Sequence, residues 1–373
     1  MAENSTGTVY TATANDADGE TLSFSIGGTD AGNFSINASS GELSFDITPD
    51  FENPADANGD NSYVITITVR DPRGGSATLN LTLTVTDIVE NGQRYIDQIF
   101  SSIDEQRGIA FAPGLEMDVL SPAGDTVTDR PVLILASGGG FLTQDRTSVE
   151  RIAEAFVRRG YVAVTIDYRV LGSAPLTADD LAVAGIQATH DLFAAVRFMR
   201  ADALGGNTFG IRADAIFVGG ESAGGVMSAI AATLDAGDAI SSAAVAAYLA
   251  GNGGVFGDIG DNDSVSSQVN GALPLSGAIL DLSSVDATSA PMYAAHEEFD
   301  PVVPCDTDTE GSSFTGLVVS GSCDIVAAYT AASAAAELFL VAGSAGHVAF
   351  SDDDREQIYA GAATLFFNEV ISP

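Results

Sequence analysis

The feature that most constrains the fold of this chain is a change in the spacing of its apolar residues near residue 91. From Thr8 to about Thr86, polar and apolar residues alternate, and clusters of Gly, Asn and Asp separate the alternating runs. This alternation is typical of strands with one buried face. After Asn91, β-branched runs alternate with helical stretches, which is typical of a mostly parallel sheet covered by helices. We therefore predict an all-β sandwich over residues 1–91 and an α/β domain over residues 92–373.

The charge of the chain excludes one class of partner. It has 51 acidic residues against 14 basic ones, all of them Arg, for a formal net charge of −37. Such a chain repels a polyanion, so we expect no nucleic-acid partner. The sequence also lacks a run of about 18 apolar residues, so we expect no membrane span.

The two cysteines bear on the compartment in which the protein works. Cys305 and Cys323 lie close together in a stretch rich in Gly, Ser and Thr. Their proximity favours a disulfide, which would contribute about 3 kcal/mol and requires an oxidising compartment. The alternative is a pair of unpaired buried thiols. From the disulfide we expect a secreted, periplasmic or cell-surface protein. Met1 leads into a polar segment without signal-peptide features, so we expect any export signal to be absent from this sequence.

The α/β domain shows a regular succession of predicted elements. Strands are predicted at residues 131–136, 161–167, 215–218, 272–275, 292–295 and 338–341, and helices at about 148–159, at about 178–200 and from Ser222.

A candidate nucleophile lies between one of these strands and the next helix. The pentapeptide Gly220-Glu221-Ser222-Ala223-Gly224 follows the strand at 215–218 and opens an Ala-rich helix. This placement is that of a nucleophile elbow, in which a sharp turn lifts the Ser hydroxyl out of the sheet and the flanking glycines relieve steric clashes. Ser222 is therefore predicted to be the nucleophile.

Acyl transfer also needs N–H donors for the oxygen that becomes negatively charged. The turn Ser137-Gly138-Gly139-Gly140-Phe141 follows a predicted strand, and its glycine N–H groups are not shielded by side chains. We predict an oxyanion hole formed by the N–H groups of Gly139, Gly140 and Ala223.

Three histidines are candidates for the general base. His190 lies inside the long helix, His296 ends a strand, and His347 follows the last predicted strand in a loop. A loop position allows the imidazole to reach the nucleophile, so His347 is the predicted base.

The acid that orients the base is expected between nucleophile and base in the chain. Asp300 occupies such a position just after the penultimate strand. It is predicted to hold the imidazole tautomer, with Asp281 and Glu298 as alternatives.

With these residues in place, the segment from about Gln93 to the C-terminus resembles the carboxylesterase and lipase branch of the α/β-hydrolases. Five segments carry the resemblance in order: Ser137–Phe141, Asp167–Arg169, the elbow, His296–Pro304 and Gly346–His347. Ser137 replaces the His usual in the glycine turn, and Glu297 replaces a Gly in the acid segment. The resemblance implies a serine carboxylesterase whose chemistry uses no cofactor or metal.

The N-terminal segment resembles the cadherin-like repeats of bacterial surface and secreted proteins. The resemblance includes the carboxylates in Asp16–Gly19 and Asp71, with departures from the family pattern at Phe51 and Val89. It implies an Ig-like sandwich with structural calcium. The implied ligands are Glu3, Asp50, Glu52, Asp87 and Glu90.

Together these observations predict an enzyme that hydrolyses small-molecule or polymeric esters, with contact to a polymer or cell surface through the N-terminal domain. Two alternatives remain open. One is amide or peptide cleavage on the same fold, because the triad does not encode the leaving group. The other is a calcium-dependent adhesion module whose hydrolase domain is inactive.

Overall fold

The structure is a computed structural model that describes residues 1, 3, 5, 7–49, 51, 54–86, 94–172, 177–262, 264–308 and 316–372. The chain divides into two compact units, Met1–Glu90 and Asn91–Pro373. Every α-helix in the described part of the chain belongs to the second unit, so the change in hydrophobic spacing coincides with a change of fold class. None of these helices has the length and apolar character needed to cross a bilayer.

Among its described residues, the first unit contains six strands. They are β1 (Thr8–Thr11), β2 (Ser23–Gly27), β3 (Phe34–Ile36), β4 (Glu42–Phe45), β5 (Ser62–Arg70) and β6 (Ser76–Thr84). Two three-stranded sheets result, with the strand orders β1-β4-β3 and β2-β5-β6, and all of their pairings are antiparallel. The predicted sandwich is therefore confirmed.

Alternation along β5 explains how the two sheets share a core. Tyr63, Ile65 and Ile67 are buried on one face of this strand. The ring of Tyr63 contacts the rings of Phe34 and Phe45 from the other sheet, with centroids 5.7 and 5.1 Å apart. Burying each of these large side chains stabilises the unit by about 1.5–3 kcal/mol.

The second unit is organised around one large sheet. Its strands are β7 (Ile103–Ala112), β8 (Leu115–Pro122), β9 (Arg130–Ala136), β10 (Val162–Ile166), β11 (Ile211–Glu221), β12 (Gly271–Leu275), β14 (Met292–Glu297) and β16 (Ala336–Val341). A separate pair is formed by β13 (Ala278–Ile279) and β15 (Ser320–Gly321). The order in the large sheet is β16-β14-β12-β11-β9-β10-β8-β7, and β8 runs antiparallel to both of its neighbours.

The strands β7 and β8 had no counterpart among the elements predicted from sequence. β7 is an edge strand, and most of its side chains are exposed. Residues 104–108 are all exposed, so this half of β7 lacks the apolar alternation from which strands are predicted.

Helices cover both faces of the large sheet. They are α1 (Glu150–Val157), α2 (Ala178–Leu204), α3 (Ala223–Thr233), α4 (Ala243–Gly251), α5 (Ser322–Ala332) and α6 (Asp352–Phe366). α2 begins with a capping box in which Thr177 and Asp180 exchange hydrogen bonds between side chain and backbone. This arrangement satisfies two of the N–H groups that a helix leaves unpaired at its start.

The core of this unit has two parts because successive side chains of a strand point to opposite faces. In β9, Val132 and Ile134 pack with α2 and α3, whereas Leu133 and Leu135 pack with α1 and α6. The result is a three-layer α/β-hydrolase fold, as predicted. Since β9, β11, β14 and β16 are parallel, the loops at their carboxyl ends emerge along one edge of the sheet.

Candidate active site

Ser222 lies in a strained turn between β11 and α3. Its φ of +54° and ψ of −113° are rare for a residue with a side chain. Gly220 and Gly224 make the turn feasible, because an added Cβ at these positions would lie 2.1 and 2.0 Å from the carbonyl oxygen of Ala136. The strain is held by the close packing of the turn against β9.

A continuous chain of hydrogen bonds links Ser222 to His347 and Asp300. His347 Nε2 lies 2.8 Å from Ser222 Oγ, and His347 Nδ1 lies 2.7 Å from Asp300 Oδ2. A carboxylate accepts hydrogen bonds, so Nδ1 carries the proton and Nε2 accepts from the Ser222 hydroxyl. The three residues predicted from chain order are thus within hydrogen-bond distance, in the geometry of a nucleophile, a base and an orienting acid.

The Asp300 carboxylate is buried and has further donors. Its Oδ1 accepts from the N–H groups of Val302 and Val303, at 2.8 and 3.0 Å. Burial favours the neutral acid, but the hydrogen bonds from His347 and from these two N–H groups outweigh it and lower the pKa of Asp300. The ionised acid therefore persists beside the imidazole.

The other two histidines are held away from Ser222. His296 is fully buried, and its ring nitrogens lie 2.9 Å from Ser322 Oγ and 2.9 Å from the carbonyl oxygen of Val303. Burial lowers the pKa of His296 below its ordinary value. His190 is buried within α2, where burial and then the charge of Arg169 lower its pKa to about 4.

The alternative acids also have other partners. Asp281 caps a short 3₁₀ turn by accepting from Ser283 N–H at 2.9 Å. Glu298 is exposed, and its Oε2 accepts from Gly343 N–H at 2.7 Å. Asp300 alone among the three accepts a hydrogen bond from His347 in the described part of the chain.

The predicted oxyanion residues lie around the same space as Ser222. Gly139, Gly140 and Ala223 line one cavity together with Ser222 and His347. Gly139 has a φ of +132°, and a Cβ there would lie 2.0 Å from the Thr143 carbonyl oxygen, so only glycine fits. Ala223 is the first residue of α3, where backbone N–H groups have no partner within the helix.

Tyr168 fixes the glycine turn from behind. Its buried hydroxyl lies 3.0, 3.1 and 3.3 Å from the carbonyl oxygens of Ser137, Gly138 and Thr143. Burial raises the pKa of Tyr168 to about 12, so the hydroxyl stays protonated and remains a donor. Ser137, where the related family has His, accepts from Asp145 N–H at 3.0 Å and closes the same loop.

The residues on either side of Tyr168 form ion pairs. Arg146 Nη1 lies 2.9 Å from both carboxylate oxygens of Asp167. Arg169 contacts the buried carboxylate of Asp191 on α2 through its backbone N–H at 2.7 Å and its Nε at 2.8 Å. The three-residue motif thus ties the loop after β10 to its neighbours.

The cavity in front of Ser222 has a volume of about 410 Å³ and an apolar wall. Its lining contains no Asp, Glu or Arg within the described residues. The apolar side chains that form the wall are those of Phe141, Leu142, Leu181, Ala182, Val226, Ile230, Ala278, Ile279, Leu280, Val302, Val303, Leu317 and Val319. Ile230, Ile279 and Leu280 also line a second cavity of about 50 Å³. A group of moderate size and low polarity fits this space.

The two cysteines form a disulfide in the structure. Their sulfurs are 2.03 Å apart, and Cys323 N–H donates to the Cys305 carbonyl oxygen at 2.9 Å. The bridge joins the loop that follows Asp300 to the first turn of α5.

Of the predicted calcium ligands, only Glu3 is described; Asp50, Glu52, Asp87 and Glu90 lie outside the described residues. Glu3 is buried, and its Oε2 accepts from Phe51 N–H at 2.7 Å. The described residues also bring together the carboxylates of Asp16, Glu20 and Asp71, whose oxygens lie within 4.8 Å of one another. Calcium binding by the predicted set stays a prediction.

Comparisons with known proteins agree with this architecture. Residues 117–252 match the BD-FAE family, and residues 1–84 match the family described as bacterial Ig domain. A search of curated protein sequences gives no match.

Solved structures of esterases resemble the chain at low sequence identity. A thermophilic esterase from Thermogutta terrifontis is 20% identical, with a TM-score of 0.50 over 68% of this chain and 87% of the esterase. Its propionate-bound form is 19% identical, with a TM-score of 0.50 over 72% and 94% of the two chains. A truncated carbohydrate esterase from gut microbiota is 17% identical, with a TM-score of 0.51 over 72% and 98%. The chain therefore combines an N-terminal β-sandwich that matches the bacterial Ig domain family with a C-terminal domain that has the α/β-hydrolase fold of these esterases.

Proposed function

We propose that the C-terminal domain hydrolyses carboxylic esters through Ser222, His347 and Asp300. The observation that carries this proposal is the unbroken set of contacts from Ser222 Oγ to His347 Nε2 at 2.8 Å and from His347 Nδ1 to Asp300 Oδ2 at 2.7 Å. Such a set allows one imidazole to accept the proton of the nucleophile and later return it.

The reaction proceeds in two halves. Ser222 Oγ attacks the ester carbonyl carbon as His347 Nε2 takes its proton, and the carbonyl oxygen becomes negatively charged. The N–H groups of Gly139, Gly140 and Ala223 stabilise this oxygen, each by roughly 3–4 kcal/mol in the transition state. The imidazolium then protonates the alcohol as it leaves, and Ser222 is acylated.

Water completes the cycle. His347 accepts a proton from a water molecule, whose oxygen attacks the acyl carbon and forms a second tetrahedral intermediate. Collapse of this intermediate returns the proton from His347 to Ser222 Oγ and releases the carboxylic acid. Throughout, the ionised Asp300 holds Nδ1 protonated and stabilises the imidazolium.

The cavity supports a substrate whose group beside the ester bond is apolar. Its wall offers the hydroxyl and imidazole of the triad and the glycine backbone as polar groups, against a majority of Leu, Ile, Val and Phe side chains. Binding of an aliphatic or aromatic group there gains about 25 cal/mol per Å² of apolar surface removed from water.

The central test uses a nitrophenyl ester and the variant Ser222→Ala. We expect kcat to fall at least about 10⁴-fold, because the acyl-enzyme no longer forms. Circular dichroism should show an unchanged fold, and a fluorophosphonate should label the wild type but not the variant. Faster hydrolysis of matched anilides than of esters would instead favour the amidase alternative. Failure of the wild type to be labelled would favour an inactive hydrolase domain.

We also propose that the protein works outside the reducing cytoplasm. The Cys305–Cys323 disulfide supports this location, because such bonds persist in oxidising compartments. Thiol labelling of the native protein from its own cells should leave both cysteines unmodified until a reductant is added. Labelling without reductant would contradict the proposal.

A further inference from the structure

Glu297, the last residue of β14, carries a carboxylate with no exposed surface. A buried carboxylate costs several kcal/mol unless nearby donors satisfy it. Three donors do so here: Ser276 Oγ at 3.2 Å, Val348 N–H at 3.2 Å and Ala349 N–H at 2.5 Å. Two of these donors belong to the residues that directly follow His347. The carboxylate is therefore bound to the loop that presents the imidazole.

Val348 shows why this loop needs to be held. Its φ of +53° lies in the left-handed region, which costs a β-branched residue about 1–2 kcal/mol or more. Glu297 accepts from its N–H, and Arg355 Nη2 donates to its carbonyl oxygen at 3.2 Å. Both peptide groups of Val348 are thus fixed, and with them the direction in which the chain leaves His347.

Arg355 also contacts the nucleophile elbow. Its Nη1 donates to Glu221 Oε1 at 2.9 Å, and Glu221 directly precedes Ser222. The side chains of Arg355 and Glu221 are 15% and 20% exposed, so solvent screens this ion pair only in part. One guanidinium therefore joins the turn of the nucleophile to the loop of the base.

We propose that Glu297, acting with Arg355, positions His347 for proton transfer with Ser222. The proposal rests on the esterase function proposed above and makes Glu297 a positioning residue, since it does not line the cavity in the described part of the chain. The end of β14 and the turn that follows it then supply two groups to the site. Asp300 orients the imidazole ring, and Glu297 holds the backbone beside it. This assigns a role to the acidic residue that stands where the related family has Gly.

The test compares Glu297→Ala and Glu297→Gln with the matched control Glu337→Gln. Glu337 is an exposed carboxylate on β16, the strand next to β14 in the sheet. Competent sites are counted by titration with a fluorophosphonate, and kcat and KM for nitrophenyl butyrate are expressed per titrated site. Counting sites separates slow chemistry from incomplete folding.

For Glu297→Ala we expect kcat per titrated site to fall about 10- to 100-fold with little change in KM, because an imidazole displaced by a fraction of an ångström transfers protons poorly. The rate of fluorophosphonate labelling should fall in parallel. Glu297→Gln keeps one acceptor oxygen and should retain more activity than Glu297→Ala. Glu337→Gln should keep wild-type kcat.

Wild-type kcat per titrated site in folded Glu297→Ala would show that Glu297 serves folding alone, and the proposal would be wrong. If that variant does not fold, Ser276→Ala removes a single donor from the same carboxylate and should still lower kcat per site. If the wild type is labelled but turns over no ester, the proposed function fails on its own. The labelling rates of the variants then decide this proposal, and equal rates overturn it.

Discussion

Replacement of Asp300 by Asn is the sharpest test of the site because the structure determines how the amide must lie. The carboxylate accepts from Val302 N–H and Val303 N–H through Oδ1 and from His347 Nδ1 through Oδ2. An Asn side chain has one acceptor oxygen and one NH₂ donor. With its oxygen facing the two N–H groups, its NH₂ faces Nδ1, which must then accept. The imidazole proton moves to Nε2, which no longer accepts from Ser222 Oγ.

The opposite orientation of the amide restores the productive tautomer at a cost that can be estimated. It points the NH₂ group at the two N–H donors and leaves both without an acceptor in a buried site. Each unpaired group costs about 1–3 kcal/mol, so the total is about 2–6 kcal/mol. At 1.36 kcal/mol for each factor of ten, this corresponds to a loss of about 30-fold to about 3 × 10⁴-fold. Loss of the anion that stabilises the imidazolium places the expected decrease in kcat/KM near the upper limit.

The assay measures kcat/KM for nitrophenyl butyrate with Asp306→Asn as the control. Asp306 is an exposed acid of the same loop. The control should keep wild-type activity, and circular dichroism should show both variants folded. A folded Asp300→Asn that keeps more than about a tenth of wild-type kcat/KM would refute the tautomer argument. Asp281 and Glu298 would then return as candidates for the acid.

The same substitution should change how stability depends on pH. The pKa of Asp300 is lowered in the folded protein, so its ionised form stabilises the fold above the unfolded value of about 3.9. This contribution is lost as the pH falls through the lowered pKa. The melting temperature of Asp300→Asn should therefore fall less steeply in acid than that of the wild type.

Four further predictions follow from the contacts around the site. Gly224→Ala places a Cβ 2.0 Å from the Ala136 carbonyl oxygen, so the melting temperature should fall sharply, and a stable, active variant would contradict the steric argument. Tyr168→Phe removes the hydroxyl donor that fixes the glycine turn. We expect kcat for a nitrophenyl ester to fall about 10-fold with KM nearly unchanged. An unchanged kcat would show that the hydroxyl does not contribute to catalysis. We expect the disulfide to steady the loop that presents Asp300, so its reduction should lower the free energy of unfolding by up to about 3 kcal/mol and lower activity. If neither quantity changes, this role of the disulfide is excluded. Leu280→Ala removes part of the wall shared by the two cavities. In a series of nitrophenyl esters, the acyl chain length with the highest kcat/KM should therefore increase. An unchanged optimum would show that the acyl group does not reach this wall.

The fold class and the order of the site residues were predictable because they depend on local patterns. The period of the apolar residues separates the sandwich from the α/β domain without knowledge of any long-range contact. The elbow was recognisable because its glycines stand two residues before and two residues after Ser222, at positions where a side chain would clash with Ala136 of the neighbouring strand. The glycine turn at 138–140 was recognisable in a similar way, because its glycines come directly after a predicted buried strand.

Other features were not accessible from the sequence. Residues 104–108 of the edge strand β7 are exposed and show no apolar alternation, so this stretch resembles a loop in sequence. His296 lies near the end of β14 and His347 follows β16 of the same sheet. Chain order alone could not show that Ser322 and Val303 are the hydrogen-bond partners of the His296 ring. The choice between the two histidines is made by their partners in the folded protein.

The sequence by itself thus determined the two fold classes and the turn at Ser222, and it predicted the order in the chain of the proposed nucleophile, acid and base. Only the tertiary structure decided which side chains hold these groups in place. Arg355 reaches Glu221 across 134 positions of the chain, and Glu297 reaches the loop after His347 across about 50. The physical reason is that dihedral strain and hydrophobic periodicity act between near neighbours in the chain. The partner of a buried charge is instead selected when distant segments pack and exclude water.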